Sequence, residues 1–211
     1  GTANVALGYR ALTSNTTADN NTAVGSNSLD VNTTGANNTA VGNNALGANT
    51  TAANNVAVGN GALDANTTGT QNIGIGLNAL GVNTTAANNV AIGTNALDAN
   101  TTGASNTAVG ENTLGSNTTA ANNVAVGHVA LDANTTGTSN TAVGKSALTA
   151  STTASNVTGI GYLALAANTT GAQNVALGRS AGSAITTGSN NVCIGYNSQL
   201  AAVGDNNEIV I

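Results

Sequence analysis

Aliphatic side chains recur in this chain on a fixed beat. A run of the form Asn-x-small-aliphatic-Gly, with Val157 in place of Asn in one copy, closes at Gly8, Gly25, Gly42, Gly59 and every seventeenth residue after that, as far as Gly195, with no insertion or deletion. With that glycine as position 1, position 17 is aliphatic in every copy, as at Leu7, Val24, Ile75 and Ile194. Position 16 is tiny (Ala6, Ala23, Gly74, Cys193), and position 15 is Thr, Val or Ile (Thr22, Thr39, Val56, Ile73). Position 5 is Leu from Leu12 through Leu165, and position 7 is small or Val. No apolar spacing of 3.6 residues fits. The alternation has period two, with β-branched residues concentrated at positions 15 to 17. It predicts two short strands per repeat, over positions 15–17 and 5–7. Asn-Thr-Thr-Gly or Asn-Thr-Thr-Ala at positions 8 to 11, as in Asn32-Thr33-Thr34-Gly35, predicts the turn between them.

Twelve such repeats in unbroken register set the chain apart from a disordered low-complexity tract. The expected fold is all-β, a β-solenoid (parallel β-roll) of twelve 17-residue coils. Stacked at about 4.8 Å per coil, it would form a rod of roughly 55–60 Å. Positions 15, 17 and 5 are expected to line the inside, with Val109 among Val126, Ile92 and Leu114. The tiny residues at positions 4 and 16 would then face outward and permit close approach of a neighbouring chain. About two large aliphatics per coil set against an ordering cost near 1.5 kcal/mol per residue make a lean core. Further apolar burial between chains is therefore expected, as a parallel homotrimer.

Residues 1–178 hold the regular repeat, and 179–211 diverge. Gly182 stands where Leu is expected, Ile185 replaces the position-8 Asn, and Gln199 occupies the next position 5. The chain starts mid-coil and reaches position 17 of its last coil at Ile211, so an excerpt leading towards a missing cap or chaperone domain is expected. A second period hides in the first. Position 6 reads Asp30, Gly47, Asp64, Gly81, Asp98, Gly115, Asp132, while position 11 alternates Gly and Ala out of phase with it. Setting the carboxylates two coils apart relieves a repulsion of roughly 1 kcal/mol between adjacent ones.

The runs Asn21-Thr22-Ala23-Val24-Gly25 and Asn89-Val90-Ala91-Ile92-Gly93 resemble the head repeats of YadA-like trimeric autotransporter adhesins. That resemblance implies a left-handed parallel β-roll with three chains around one axis. The repeat here is three residues longer than the usual adhesin coil, the excess falling in the Asn-Thr-Thr turn. Arrays with this longer spacing also look like phage tail-fibre and tail-spike shafts. In those, stretches similar to residues 190–198 and 207–211 precede a self-cleaving intramolecular chaperone domain.

Composition narrows the function. Only 5% of residues are charged and 1% aromatic, with no Phe, Trp, Met or Pro, and the net charge is −5. Three basic residues cannot neutralise a phosphate backbone, so no nucleic-acid partner is expected. The single Cys193 excludes an intrachain disulfide and a cysteine-ligated zinc. No apolar run approaches the roughly 20 residues of a membrane span, so no membrane insertion of this segment is expected. Gly1-Thr2-Ala3 does not open a basic stretch and apolar run of signal-peptide type.

Position 2 varies freely in a chain otherwise copied from coil to coil. It holds Tyr9, Glu111, His128, Lys145, Tyr162, Arg179 and Tyr196, a candidate receptor-contact ridge. Its bland reading is an exposed corner free of packing constraint. Glu111 and His128 lie one coil apart within about 5 Å, as solvated corner residues rather than a proton-transfer pair. Cys193 reads as a buried inert thiol. Asp64-Ala65-Asn66-Thr67-Thr68-Gly69 resembles the opening of a calcium loop, but Ile75 stands where the closing glutamate belongs. Turn capping by Asp30, Asp64, Asp98 and Asp132 is the better reading, with no metal. The Asn-x-Thr sequons, such as Asn15-Thr16-Thr17, read as turn residues.

Position 9 gives a candidate Thr ladder: Thr16, Thr33, Thr50, Thr67, Thr84, Thr101, Thr118, Thr135, Thr152 and Thr169. Stacked Thr ranks on a β-solenoid suggest ice binding as the alternative function. The principal expectation is a structural and adhesive fibre segment, extracellular, on a virion tail fibre or bacterial cell surface. It would be a rigid spacer whose ridge meets a cell-surface receptor or glycan. No constellation of nucleophile, acid and base is present, so neither an enzyme nor a cofactor is expected.

Overall fold

The computed structural model describes residues 1–211. Each coil contributes one three-residue strand at positions 15–17, from β1 (Val5–Leu7) and β2 (Thr22–Val24) to β12 (Val192–Ile194), and β13 (Ile209–Val210) closes the series. The thirteen strands form one parallel sheet in chain order, a β-solenoid of about twelve turns. Every residue pairs with the one seventeen later, as Ala23 with Ala40 and Val24 with Val41. The repeat length is thus also the sheet register. Successive coils are held on both sides of each strand. Thr22 N–H donates to Asn38 O at 2.9 Å and Gly25 N–H to Leu7 O at 2.8 Å.

The inside of the strand is opposite to the sequence expectation. Position 16 is fully buried from Ala23 to Cys193, as at Ala57 and Ala108, whereas the flanking positions 15 and 17 are half-buried or exposed. Val109 therefore lies on the outer face. Position 4 also points inward, as at Ala45, Ala62 and Ala79. Interior width is the reason. The position-5 leucines, Leu29 through Leu165, are wholly buried and lie across the coil onto the strand. Where position 16 is Gly74, an added Cβ would sit only 3.3 Å from Leu63 Cγ. One leucine opposite one methyl fills the coil. A valine at position 16 would overfill it.

The expected second strand over positions 5–7 is a chain of turns. Positions 3, 5 and 13 take left-handed backbone, as at Asn27 (φ 57°), Leu29 (φ 48°) and Asn37 (φ 61°). Asparagine tolerates this conformation, but leucine in it costs roughly 1–2 kcal/mol. The cost is met because Leu29 N–H still bonds to Ala45 O of the next coil at 3.1 Å while its side chain enters the core. The left-handed step also turns adjacent positions 4 and 5 inward together, which an extended strand cannot do. At the position-1 corner only glycine fits. Gly25 has φ 136°, and a Cβ there would lie 2.3 Å from Gly42 O.

Two asparagine ladders flank the apolar core, both fully buried along most of the rod. At position 14, Asn38 N–H donates to Asn21 Oδ1 at 2.9 Å, and Asn38 Nδ2 donates to Ala52 O at 2.9 Å. At position 8, Asn49 Nδ2 donates to Asn32 Oδ1 at 2.9 Å and to the same Ala52 O at 3.0 Å. Every position-11 carbonyl treated this way accepts two carboxamides. Residues 179–211 continue the same sheet. Their divergence keeps volume: Ile185 Cδ1 lies 3.1 Å from where a Gly182 Cβ would stand, so the aliphatic mass moves from position 5 to position 8.

Candidate functional site

The corner after each strand carries position 2 outward, because the glycine before it reverses the chain away from the core. Tyr9, Glu111, His128, Lys145, Tyr162, Arg179 and Tyr196 are all exposed there. Stacking in register brings neighbours together. The Arg179 guanidinium carbon lies 5.7 Å from the Tyr162 ring centre and 5.5 Å from that of Tyr196, one coil to either side. His128 Nε2 stands 3.9 Å from Glu111 Oε2, both side chains about half exposed. The third basic residue, Arg10 at position 3, is held by Asp30, with Nη2 2.8 Å from Oδ2 and Nε donating to Oδ1 at 3.3 Å. Lys145 and Arg179 have no carboxylate within ion-pair distance.

The position-9 threonines are half-buried or exposed, and their hydroxyls are committed to the rod. Thr33 Oγ1 donates to Thr50 O at 3.0 Å, and Thr16, Thr67, Thr84, Thr101, Thr118, Thr135, Thr152 and Thr169 repeat the pattern. Thr50 does so at 3.4 Å. Position 10 holds the open rank, exposed in every coil from Thr17 to Thr187.

The position-6 aspartates show why the sequence doubles its period. Asp64 reaches back over Gly47 and Asp132 over Gly115. A Cβ on either glycine would meet an Oδ1 of that aspartate at 2.5 or 2.7 Å. At these two coils the alternation is therefore steric as well as electrostatic, whereas no aspartate occupies the space over Gly81. Burial pushes the carboxyl groups of Asp64, Asp98 and Asp132 up, against N–H groups of Asp98 itself and Ala99 at Asp98 and of Gly115 at Asp132. Shallow clefts of about 440 Å³ and 200 Å³ lie along this row, the first between Arg10, Asp30 and Asp64 and the second between Asp64, Asn78 and Asp98. No three His, Cys, Asp or Glu side chains gather closely enough to hold a metal ion. The buried Cys193 thiol is pushed up by desolvation.

The surface expected inside lies on the outer face of the sheet. Positions 15 and 17 form a face of Val, Ile, Leu and Thr along the whole sheet, from Val5 and Leu7 to Ile194 and Ile209, without a charged residue. Its signal was in the sequence. A position confined to Ala, Gly and Cys marks a tight interior, which leaves its branched neighbours outside. The chain contains no helix long and apolar enough to cross a membrane. Comparison with protein-family models, curated proteins and solved structures returned no match.

Proposed function

We propose that the chain is a length of rigid extracellular fibre, a parallel homotrimer whose rods meet along the Val/Ile face of β1–β13. It serves as a spacer with a receptor-contacting ridge at position 2, on a virion tail fibre or a bacterial surface. The observation that carries this reading is the uncharged face at positions 15 and 17. An uncharged strip of Val, Ile, Leu and Thr running the length of a rod is the kind of surface that marks an interface between chains. Because all strands are parallel and in register, copies related by rotation about the rod axis would present identical ladders to one another. The resemblance to trimeric fibre heads supplies the number three.

Sedimentation equilibrium tests the reading. A species of about 60 kDa, three times the chain mass of 20.1 kDa, is expected. Val109→Asp should dissociate it while β circular dichroism persists, since Val109 lies outside the coil. A folded monomer in the unsubstituted chain would overturn the trimer. The exposed rank Thr17 to Thr187 favours a second reading, an ice-binding face. Thermal hysteresis at micromolar protein, lost in Thr85→Val together with Thr102→Val, would carry that reading instead.

A further inference from the structure

The chain has three basic residues and a net charge of −5, yet one stretch of its surface is locally cationic. Asp30 neutralises Arg10, whereas Lys145 and Arg179 meet no carboxylate of the chain. Both stand at position 2, two coils apart, with Tyr162 between them and Tyr196 one coil beyond. At about 4.8 Å per coil their spacing is roughly 10 Å. Arg179 lies against both tyrosine rings, which holds the guanidinium in place without using its N–H donors. The nearest acidic side chain on the ridge, Glu111, lies two coils before Lys145 and faces His128. An aromatic, cationic, linear track with pre-positioned donors is built for an extended anionic ligand.

We propose that Lys145, Tyr162, Arg179 and Tyr196 bind an acidic saccharide that carries a carboxylate on every second sugar. A pyranose unit in an extended chain is about as long as one step between coils, so alternate sugars come opposite alternate coils. Carboxylates then meet Lys145 and Arg179, the latter through a two-pronged N–H pair. The sugars between them lay their C–H faces on Tyr162 and Tyr196. Two cations are too few to hold a nucleic-acid backbone, whose affinity rests on many neutralised phosphates. The inference deepens the receptor-contacting role proposed above and rests on the ridge remaining exposed in the assembled fibre.

The test is isothermal titration of the intact chain with a hyaluronan octasaccharide, in which glucuronate alternates with a neutral sugar. Parallel titrations use a neutral N-acetylglucosamine hexamer and a sixteen-nucleotide thymidine strand. Saturable binding of the acidic octasaccharide alone is expected, weakened about tenfold by Arg179→Gln, a loss of roughly 1.4 kcal/mol. Tyr162→Ala with Tyr196→Ala should weaken it by a similar factor, while Asn60→Ser, far along the same ridge, should leave it unchanged. Equal binding of the neutral hexamer, stronger binding of thymidine, indifference to Arg179→Gln, or no binding by the folded chain would each overturn the proposal. Sedimentation of the same samples separates the two readings. A monomer that binds fails only the trimer, and a trimer that does not bind fails only the ridge.

Discussion

At the scale of single residues, the coil divides into positions that tolerate one atom and positions that tolerate almost anything. Ala108 has no exposure and faces the leucines, so Ala108→Asp would bury an unpaired carboxylate with no room for it. A loss of about 3–5 kcal/mol is expected, read by urea unfolding. Glu111→Lys, three residues on, should change stability by no more than about 0.5 kcal/mol in the same measurement. The contrast between positions 16 and 2 was readable from the sequence, whereas the polarity of the strand had a single sign there, the confinement of position 16 to Ala, Gly and Cys. Branched side chains at 15 and 17 look like core until the leucine at position 5 is seen to need the whole interior. The titrating residues give a pH dependence with a definite sign. Asp64, Asp98 and Asp132 sit above the ordinary carboxylate value of 3.8, so between that value and their own the folded chain holds more protons than the unfolded one. Their contribution makes the fold more stable as pH falls from neutral through the raised values. Melting curves between pH 7 and pH 4 should show the rise, and Asp64→Asn should diminish it. A flat profile would mean that these carboxylates are solvated.

At the scale of the coil, two ladders of buried amides flank the aliphatic core, and both are interrupted in the coil that holds Ser151 and Val157. Ser151 replaces the position-8 asparagine, leaving its own Oγ and Asn134 Oδ1 buried without partners. Val157 replaces the position-14 asparagine of that coil. It still donates its N–H to Asn140 Oδ1 at 3.0 Å but offers nothing to Asn174 or Gly171 of the next coil. Each unpaired buried polar group costs about 1–3 kcal/mol, and in a one-dimensional stack that cost falls on one junction. Native-state proteolysis should therefore open the rod first around residues 151–157. Ser151→Asn with Val157→Asn should protect that site and raise the urea midpoint. Unchanged cleavage in the double variant would place the weak point elsewhere. The ladders were only half legible beforehand. The asparagine before Thr-Thr reads as turn chemistry, and the one that opens each Asn-x-small-aliphatic-Gly run reads only as a mark of the repeat. Their recurrence at two fixed positions was visible, but a carboxamide that serves three coils at once has no signature in any single repeat. The left-handed leucine was hidden for a related reason, since a residue of low tolerance for that conformation gives no local sign of being forced into it.

At the scale of the whole molecule, a single register governs everything: thirteen strands in chain order, one corner per coil, one ridge and one apolar face running parallel to the axis. The stacked coils, the corner and the ridge followed from the seventeen-residue beat alone, because an unbroken period leaves a stacked coil nowhere to go but onto the last one; the single strand per coil and the outward apolar face did not. The interlock at position 6 adds a rule about length. Since Asp64 occupies the space over Gly47 and Asp132 that over Gly115, the coils from Asp30 to Asp132 come in two kinds, and each kind accepts the other as neighbour. Removing residues 110–126 would set Asp132 directly against Asp98, whereas removing 93–126 would set Asp132 over Gly81 and leave a glycine beneath it. The longer deletion should melt close to the parent and the shorter one well below it, and equal melting of the two would show the interlock to be idle. The rod is in this sense a ruler graduated in double steps. Its genetic copy number can be edited by recombination, and lengths that survive should differ by thirty-four residues, roughly 10 Å at a time.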